Sequence, residues 1–577
     1  MNLSIAQYLS EYQSIIRSDS GESVKVAILR SYSCDPLEQA LTVDLYKMLN
    51  IRSSFFCGGF NQYAQEILNK NSDLYQYKPD YIFILVLLED LCADVFNDYY
   101  KLDNLCDLVD NAVDGFIDLI FSLLKNTNSN IIIGNFTLPY NTQNISYHAQ
   151  YKDGVGNITA RANLRLVEKF PKTNAYILDV NEVIRQIGVE QAYDPKLFMI
   201  ANNPYSFKTY AALSQNAASL ISSILGRRKK CIVLDLDNTL WKGIIGEDGA
   251  DGIEISEPYR QLQKQLLLWN NTGILLAICS KNNYDEALAV IRDHPDMILR
   301  EVNFAALRID WNNKADNLVS IAEELNIGID SLIFIDDSSY ECGLVAQSVP
   351  DVEVIRLDGD SASYADIIKN IRSLDFVRLT TTDRIRAVEY GAQRQRADLK
   401  ARFTDIESYL QNLNMSVKID FVNQFTISRA AQMTQKTNQF NLTTRRYTVE
   451  QLQQLLDKDF LIFTLESADR FGDNGIVGLI VLNTHSANAD IWEIDTFLLS
   501  CRVIGREIER AFLSLVIEYA RDRHVNKLIG QYIPSQKNKL VSDLYKKCGF
   551  IYEDGKWVFN VKQSISSPSF IQLHFQP

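Results

Sequence analysis

Histidine and paired cysteine are the scarcest chemical resources of this chain. Its five histidines, His148, His294, His485, His524 and His574, never fall at HxxxH spacing, so the sequence offers no ready zinc site. The nine cysteines (Cys34, Cys57, Cys92, Cys106, Cys231, Cys279, Cys342, Cys501 and Cys548) form no CxxC and keep no regular spacing, which fits free thiols in a reducing compartment better than a disulfide framework. Positive charge is also in deficit. With 58 basic against 72 acidic residues and a net charge of -14, the chain is not built to hold nucleic acid or an anionic membrane as a general partner. No apolar run approaches the roughly 18 residues needed to span a bilayer, and the opening MNLSIAQYLSEYQSIIRSD has no basic stretch ahead of an apolar one. The expectation is a soluble, cytoplasmic protein.

What is present is modular. A chain of 577 residues is too long for one hydrophobic core. From Lys25 to about Leu225 short apolar runs (KVAIL, YIFILVLL, NIIIGNF, AYILDV) alternate with amphipathic stretches, the pattern of a parallel sheet with intervening helices. The tract GRRKK at Gly226 to Lys230 precedes a new βα series, CIVLDLD, LLAICS, SLIFIDD and VEVIRL. After Leu357 the pattern becomes helical and charged, and Arg384 to Leu413 reads as a solvated connector helix pair. From Ser416 strand pairs precede a long helix beginning near Arg502, the mark of a separate α+β domain. The expected boundaries are 1–225, 226–375, 376–414 and 415–577.

The chemistry concentrates in the second block. CIVLDLDNTL carries Asp235 and Asp237 to the carboxyl end of an apolar strand, where open α/β sheets place ligands, with Thr239 two residues on. One carboxylate can attack phosphorus while the other moves a proton and a cation neutralises both. Ser280 follows LLAIC, Lys314 stands ahead of a helix in WNNKADN, and Asp336-Asp337 follows SLIFI. A hydroxyl and an ammonium hold phosphoryl oxygens, and a carboxylate pair completes an all-oxygen magnesium shell. Taken singly each has a bland reading: a turn for DxD, a helix cap for Ser280 or Asp337, a surface position for Lys314. Their order is the evidence.

These motifs resemble those of the haloacid dehalogenase (HAD) superfamily. The resemblance implies Asp235 as the nucleophile that forms an aspartyl-phosphate and Asp237 as general acid/base. It also implies substrate binding by Thr239, Ser280 and Lys314, and Mg2+ held by Asp235, the Asp237 backbone carbonyl and Asp336, with Asp337 in support. The span GIIGEDGADGIEIS reads as a flap, not as a cap domain, so the nucleophile is exposed and a protein-attached substrate or neighbouring domains would cover it. The wording DLDNTLWKGIIGEDG, ICSKNN, DWNNKADN and QKTNQFNLTTRRYT is similar to the FkbH-like family. That resemblance implies transfer of a glyceryl group from 1,3-bisphosphoglycerate, a small phosphorylated substrate, to the phosphopantetheine thiol of an acyl carrier protein in polyketide or related pathways. Ser338-Ser339 stands where Asn-Pro is typical, a departure that touches loop geometry and leaves the carboxylates intact.

LLSCRVIGREIERAF and LYKKCGF resemble the GNAT acyltransferases, in which an R/Q-x-x-G-x-G/A turn cradles a pyrophosphate at a helix N-terminus. Arg502 and Gly505 occupy the first two key positions and Glu507 replaces the small third residue, which speaks against tight coenzyme A binding and leaves docking of a carrier's pantetheine arm. Cys501, ahead of that turn, is a candidate thiolate relay, against the plain reading of a core cysteine. The run Gln435 to Asn441 reads equally as a ligand-facing segment or as a solvated helix and turn. The N-terminal pattern resembles the SGNH hydrolases: Ser31 and Ser33 follow the first strand, but Asp194 has no histidine three residues on, so the resemblance implies a degenerate domain that shapes the site or binds the carrier. The expected fold is therefore α/β in three domains: an SGNH-like domain, a HAD parallel-sheet core lacking a large cap, and an α+β GNAT-like domain. The competing reading is a stand-alone phosphatase of a metabolite or phosphoprotein with scaffold terminal domains.

Overall fold

The computed structural model describes residues 4–17, 22–97, 99–102, 104–140, 145–171, 173–379, 390–396, 399–400, 403–484, 490–535 and 538–575. They form a mixed α/β chain with two parallel-sheet cores and a third, mixed sheet. The chain divides into two compact units, Met1–Lys230 with Asp366–Leu379, and Cys231–Ala365 with Thr380–Pro577. Among the described residues no helix is long and apolar enough to cross a membrane.

In the first unit, strands β1 (Glu22–Arg30), β2 (Ile51–Cys57), β3 (Tyr81–Leu85), β4 (Asn130–Gly134) and β5 (Ala175–Leu178) form a parallel sheet in the order β2-β1-β3-β4-β5. Alternate residues serve opposite faces. Ala27, Leu29, Ile82 and Ile84 pack with the helix Leu105–Asn126, while Val26, Ile28, Tyr81 and Phe83 pack with the helices Asp35–Leu49 and Phe207–Ile224. The segment Asp366–Leu379 returns to this unit. Ser219 Oγ donates to the Arg372 carbonyl at 2.8 Å and to Asp375 Oδ2 at 2.7 Å, and the Lys229 N–H reaches the Ser373 carbonyl at 2.9 Å. The boundary expected at 375 thus falls inside a segment that closes the first unit, for no change of pattern marks that return.

In the second unit, β6 (Cys231–Leu234), β7 (Leu275–Ser280), β8 (Phe304–Ile309), β9 (Leu332–Asp336) and β10 (Glu353–Arg356) form a parallel sheet in the order β10-β9-β6-β7-β8. Residues of β6 and β9 are wholly buried because helices cover both faces, which is why these strands read as unbroken apolar runs. From β6 the chain winds to β7 and β8 on one side and then crosses to β9 and β10 on the other. The switch in direction lies between β6 and β9, where such sheets open a crevice beyond their carboxyl ends.

The C-terminal sheet is mixed, running β16-β17-β15-β14-β13-β12-β11-β18. It is built from β11 (Met415–Phe421), β12 (Leu461–Asp469), β13 (Gly472–Asn483), β14 (Ile491–Leu499), β15 (Lys527–Gly530), β16 (Ile551–Glu553), β17 (Lys556–Asn560) and β18 (Ile571–Phe575). Its long helix spans Ile508–Asp522 and starts later than expected because Gly505 (φ 78°) and Glu507 (φ 59°) hold left-handed backbone that interrupts helical continuation from Arg502. Much of the connector lies outside the described residues. Where it is described it is not simply solvated: Arg394 and Arg396 are buried, paired with Glu301 at 2.9 Å and with Asp469 at 2.6 Å.

Candidate active site

Asp235 directly follows β6, its N–H continuing the ladder to the Ile335 carbonyl at 3.0 Å, and Asp336 is the last residue of the neighbouring β9. The two carboxylates therefore flank the switch point. Asp337 joins them, with one oxygen of each of the three lying within 4.8 Å of the others. Lys314 opens the helix Lys314–Glu324, which Asn313 caps, and its ammonium stands 2.6 Å from Asp336 Oδ2 and 3.1 Å from Asp235 Oδ1. Ser280 closes β7, next to β6 on the other side. The edge thus gathers Asp235, Ser280, Lys314, Asp336 and Asp337, as their order along the chain predicts.

The charges do not balance. Lys314 and Asp336 are buried, with side-chain exposures of 3% and 0%. Burial and the neighbouring Asp235 push the Asp336 carboxyl up to about 6 against the pull of Lys314, and the same two causes raise Asp337. The two carboxylates beside it hold the Lys314 ammonium in its charged form in spite of burial. Among the described residues Asp235 Oδ1 is buried with no partner besides the Lys314 ammonium, 3.1 Å away. Three carboxylates around one ammonium leave a deficit of positive charge, and an all-oxygen donor set at this spacing suits a hard divalent cation such as Mg2+.

Asp237 stands apart from that trio. Its Oδ1 accepts the Trp241 indole N–H at 2.9 Å and the Ile245 backbone N–H at 3.2 Å, and its Oδ2 accepts from Asn282 Nδ2 at 3.0 Å. The Asp237 carboxylate is thus engaged by protein donors, and only its backbone carbonyl is expected to meet a cation. Asn238, in left-handed backbone (φ 53°), turns the chain here and accepts the Gly243 N–H at 3.0 Å. Thr239 is fully buried and its hydroxyl has no partner among the described residues. The flap is a short hairpin-like excursion, with Lys242 bridged to Glu254 around the helix Ile245–Asp248. Asp337 is not a helix cap: Ser338 caps the helix Ser339–Ser348 by accepting the Glu341 N–H at 3.4 Å, so the unusual serine retains a structural task. Trp241 and Asn282 were not among the expected site residues. DLDNTLW and CSKNN contain them, but only the folded turns bring both to one carboxylate.

The other expected sites differ. In the C-terminal sheet the turn after β14 is held from within: Arg506 is buried, donates to the Arg502 carbonyl at 2.6 Å and pairs with Asp469 at 3.0 Å, while Arg502 Nε donates to Ser500 Oγ at 3.2 Å. Gly505 supplies the positive φ. The Cys501 side chain lies outside the described residues. Strands β14 and β15 pair only over Ile491–Ile494 and Lys527–Gly530. Beyond that, Phe440–Leu442 lies along β14, with Leu442 N to Phe497 O and Leu499 N to Phe440 O both at 3.0 Å, and Ile533 N reaches Leu442 O at 2.8 Å. The end of the polar run is therefore a strand-like insert, neither a solvated turn nor a free ligand-facing loop. In the first unit Ser31 is fully buried, its hydroxyl donating to Asp90 at 2.5 Å and accepting the Leu87 N–H at 3.0 Å. The Ser33 N–H bonds the Asn202 carbonyl, and Asp194 caps the helix Pro195–Ala201. No hydrolytic triad forms from these residues.

Residues 25–222 match the model of the FkbH N-terminal domain. The crystal structure of the N-terminal part of BF1531 from Bacteroides fragilis, containing a phosphatase domain complexed with Mg, is 27% identical over 63% of this chain and 97% of that chain, with a TM-score of 0.57. A mutant of spermidine N-acetyltransferase SpeG from Vibrio cholerae aligns over 25% of this chain and 94% of its own at 14% identity and a TM-score of 0.21. Ribosomal-protein-S18-alanine N-acetyltransferase from Escherichia coli aligns over 25% of this chain and 88% of its own at 14% identity and a TM-score of 0.19. No curated protein matches the chain.

Proposed function

We propose that the chain is a Mg2+-dependent phosphatase whose phosphoryl chemistry is coupled to acyl transfer, taking 1,3-bisphosphoglycerate to a glyceryl thioester on the phosphopantetheine thiol of an acyl carrier protein. The observation that carries the phosphatase part is the trio Asp235, Asp336 and Asp337 around Lys314 at the β6/β9 switch point. The Mg-bound phosphatase-domain structure to which the chain is similar supports the same reading.

The two phosphates of such a substrate leave by different chemistry. Attack of the carrier thiolate on the acyl-phosphate carbonyl forms the thioester and breaks the C–O bond to phosphate, a good leaving group that needs no nucleophile on phosphorus. The phosphate on the primary hydroxyl is an ordinary monoester. Asp235 attacks its phosphorus, the P–O bond to the sugar-like carbon chain breaks, and Asp237 delivers a proton to the departing alkoxide. Water, deprotonated by Asp237, then attacks the aspartyl-phosphate and frees inorganic phosphate. Ser280 and Lys314 hold phosphoryl oxygens in both steps. Mg2+, held by Asp235, Asp336 and the Asp237 carbonyl with Asp337 in support, would neutralise the charge that these carboxylates share with the phosphoryl group.

A second reading, a stand-alone phosphatase with scaffold terminal domains, draws on the edge of β14 beyond β15, which the chain's own Phe440–Leu442 already occupies. Intact-mass measurement of a phosphopantetheinylated carrier incubated with enzyme, Mg2+ and 1,3-bisphosphoglycerate separates the two. A glyceryl increment that is absent or retains a phosphate with Asp235→Asn is the expected result; phosphate release with an unmodified carrier would leave only the phosphatase. Cys501→Ser in the same assay tests the relay, which fails if loading proceeds at the wild-type rate.

A further inference from the structure

The carboxylate expected to move protons is held more completely than its chemistry requires. Asp237 Oδ1 accepts two N–H donors, from the Trp241 indole and the Ile245 backbone, whereas Oδ2 accepts one, from Asn282. Trp241 is fully buried and Asn282 is 4% exposed, so these donors lack water as an alternative partner. The Asn282 amide has two N–H groups, and the second reaches Ser280 Oγ, also at 3.0 Å.

This arrangement breaks the symmetry of the carboxyl group. A proton on Oδ1 would be directed against two N–H groups, while Oδ2 keeps a lone pair free. The second bond from Asn282 occupies a lone pair of Ser280 Oγ and leaves the serine proton to be donated elsewhere. We propose that Trp241 and Asn282 are positioning residues: Trp241 confines the transferable proton of Asp237 to Oδ2, and Asn282 aims that oxygen while turning the Ser280 hydroxyl outward as a donor to the phosphoryl group. Ile245 belongs to the flap, so the same carboxylate also registers where the flap sits. The inference rests on the phosphatase reading and deepens it, since it separates the group that transfers the proton from those that decide which oxygen carries it.

The test compares leaving groups that differ in their need for a proton. p-Nitrophenyl phosphate expels a stable phenolate, so the first-turnover burst of nitrophenolate reports attack by Asp235 with little help from an acid. 3-Phosphoglycerate expels a primary alkoxide and needs one. In Trp241→Phe the burst rate is expected to stay within about threefold of wild type, while turnover of 3-phosphoglycerate falls about 10- to 100-fold, mainly in kcat; Asn282→Ala, which also frees the Ser280 hydroxyl, is expected to slow the burst as well but to lose about tenfold more on 3-phosphoglycerate. Mg2+ affinity by titration calorimetry should be unchanged. Equal losses on both substrates, or weakened Mg2+ binding, would assign these residues to general upkeep of the site and overturn the proposal. A wild-type enzyme that releases phosphate from neither compound would instead remove the phosphatase reading beneath it.

Discussion

Two parallel sheets in this molecule share one plan and put it to different ends. Each has five strands, and each reverses direction beside its first strand: between β1 and β3 in the first unit, between β6 and β9 in the second. Each delivers a polar residue at that point, Ser31 after β1 and Asp235 after β6. The surroundings then diverge. Ser31 is satisfied on both sides, as donor to Asp90 and as acceptor from Leu87, and has no chemistry left to offer. Asp235 has a buried oxygen that, among the described residues, meets only an ammonium shared with Asp336, and two acidic neighbours that this single charge cannot offset. A site of reaction is recognised by what its groups still lack, whereas a saturated group at the same topological position is architecture.

Lys314 is the sharpest place to break that contrast. Lys314→Met leaves Asp235 and Asp336 facing one another without a cation and removes a phosphoryl contact, so kcat/KM should fall about 100- to 1000-fold in a phosphate-release assay. Retained activity would mean that this edge does not hold phosphate. Ser31→Ala tests the other sheet. It strands the Leu87 N–H and the Asp90 carboxylate, with an expected loss of about 1–3 kcal/mol in urea unfolding of the first unit and unchanged phosphatase kcat. Loss of turnover without loss of stability would give Ser31 a chemical role after all.

The smallest effect separates two carboxyls that burial pushes to the same value. Asp336 and Asp44 are both raised to about 6, but Asp336 is paired with the Lys314 ammonium, whereas Asp44 accepts the hydroxyls of Tyr8, at 3.1 Å, and Ser214, with the charges of Lys47 and Glu11 acting on it in opposite directions. A carboxyl whose folded value exceeds its ordinary 3.8 favours the folded state below that value, and its contribution is lost as pH rises through 6. Relative to Asp44→Asn, the wild-type chain should therefore lose about 2 kcal/mol between pH 4 and pH 7, read from urea midpoints. A pH-independent difference would place the Asp44 charge in a more solvated setting than its burial implies.

The gathering of Asp235, Lys314, Asp336 and Asp337 at one sheet edge was legible in the sequence because its logic is linear. Each buried strand announces itself as an apolar run, and the candidate site residue sits at the run's end, as in CIVLDLD and SLIFIDD. What escaped was convergence. Trp241 meets Asp237 only because Asn238 adopts left-handed backbone, and Asn282 meets it from a different strand end; neither relation has a spacing that could be read in advance. The polar run ending at Asn441 suggested a ligand surface or a solvated turn, yet its last residues bond the exposed edge of β14, a choice made by the free backbone groups of that strand. Arg394 and Arg396 looked solvated because charge density was counted without the distant partners, Glu301 and Asp469, that bury them.

The return of Asp366–Leu379 to the first unit carries a consequence for how the chain is made. Residues that finish that unit leave the ribosome only after the whole β6–β10 sheet has been translated. During synthesis Ser219 and Ser223 of the helix Phe207–Ile224 wait, without Arg372 and Asp375 to receive their hydroxyls, while a second sheet emerges and folds. A nascent chain halted before Asp366 should thus be open to protease at the first unit even though all five of its strands are already outside the tunnel.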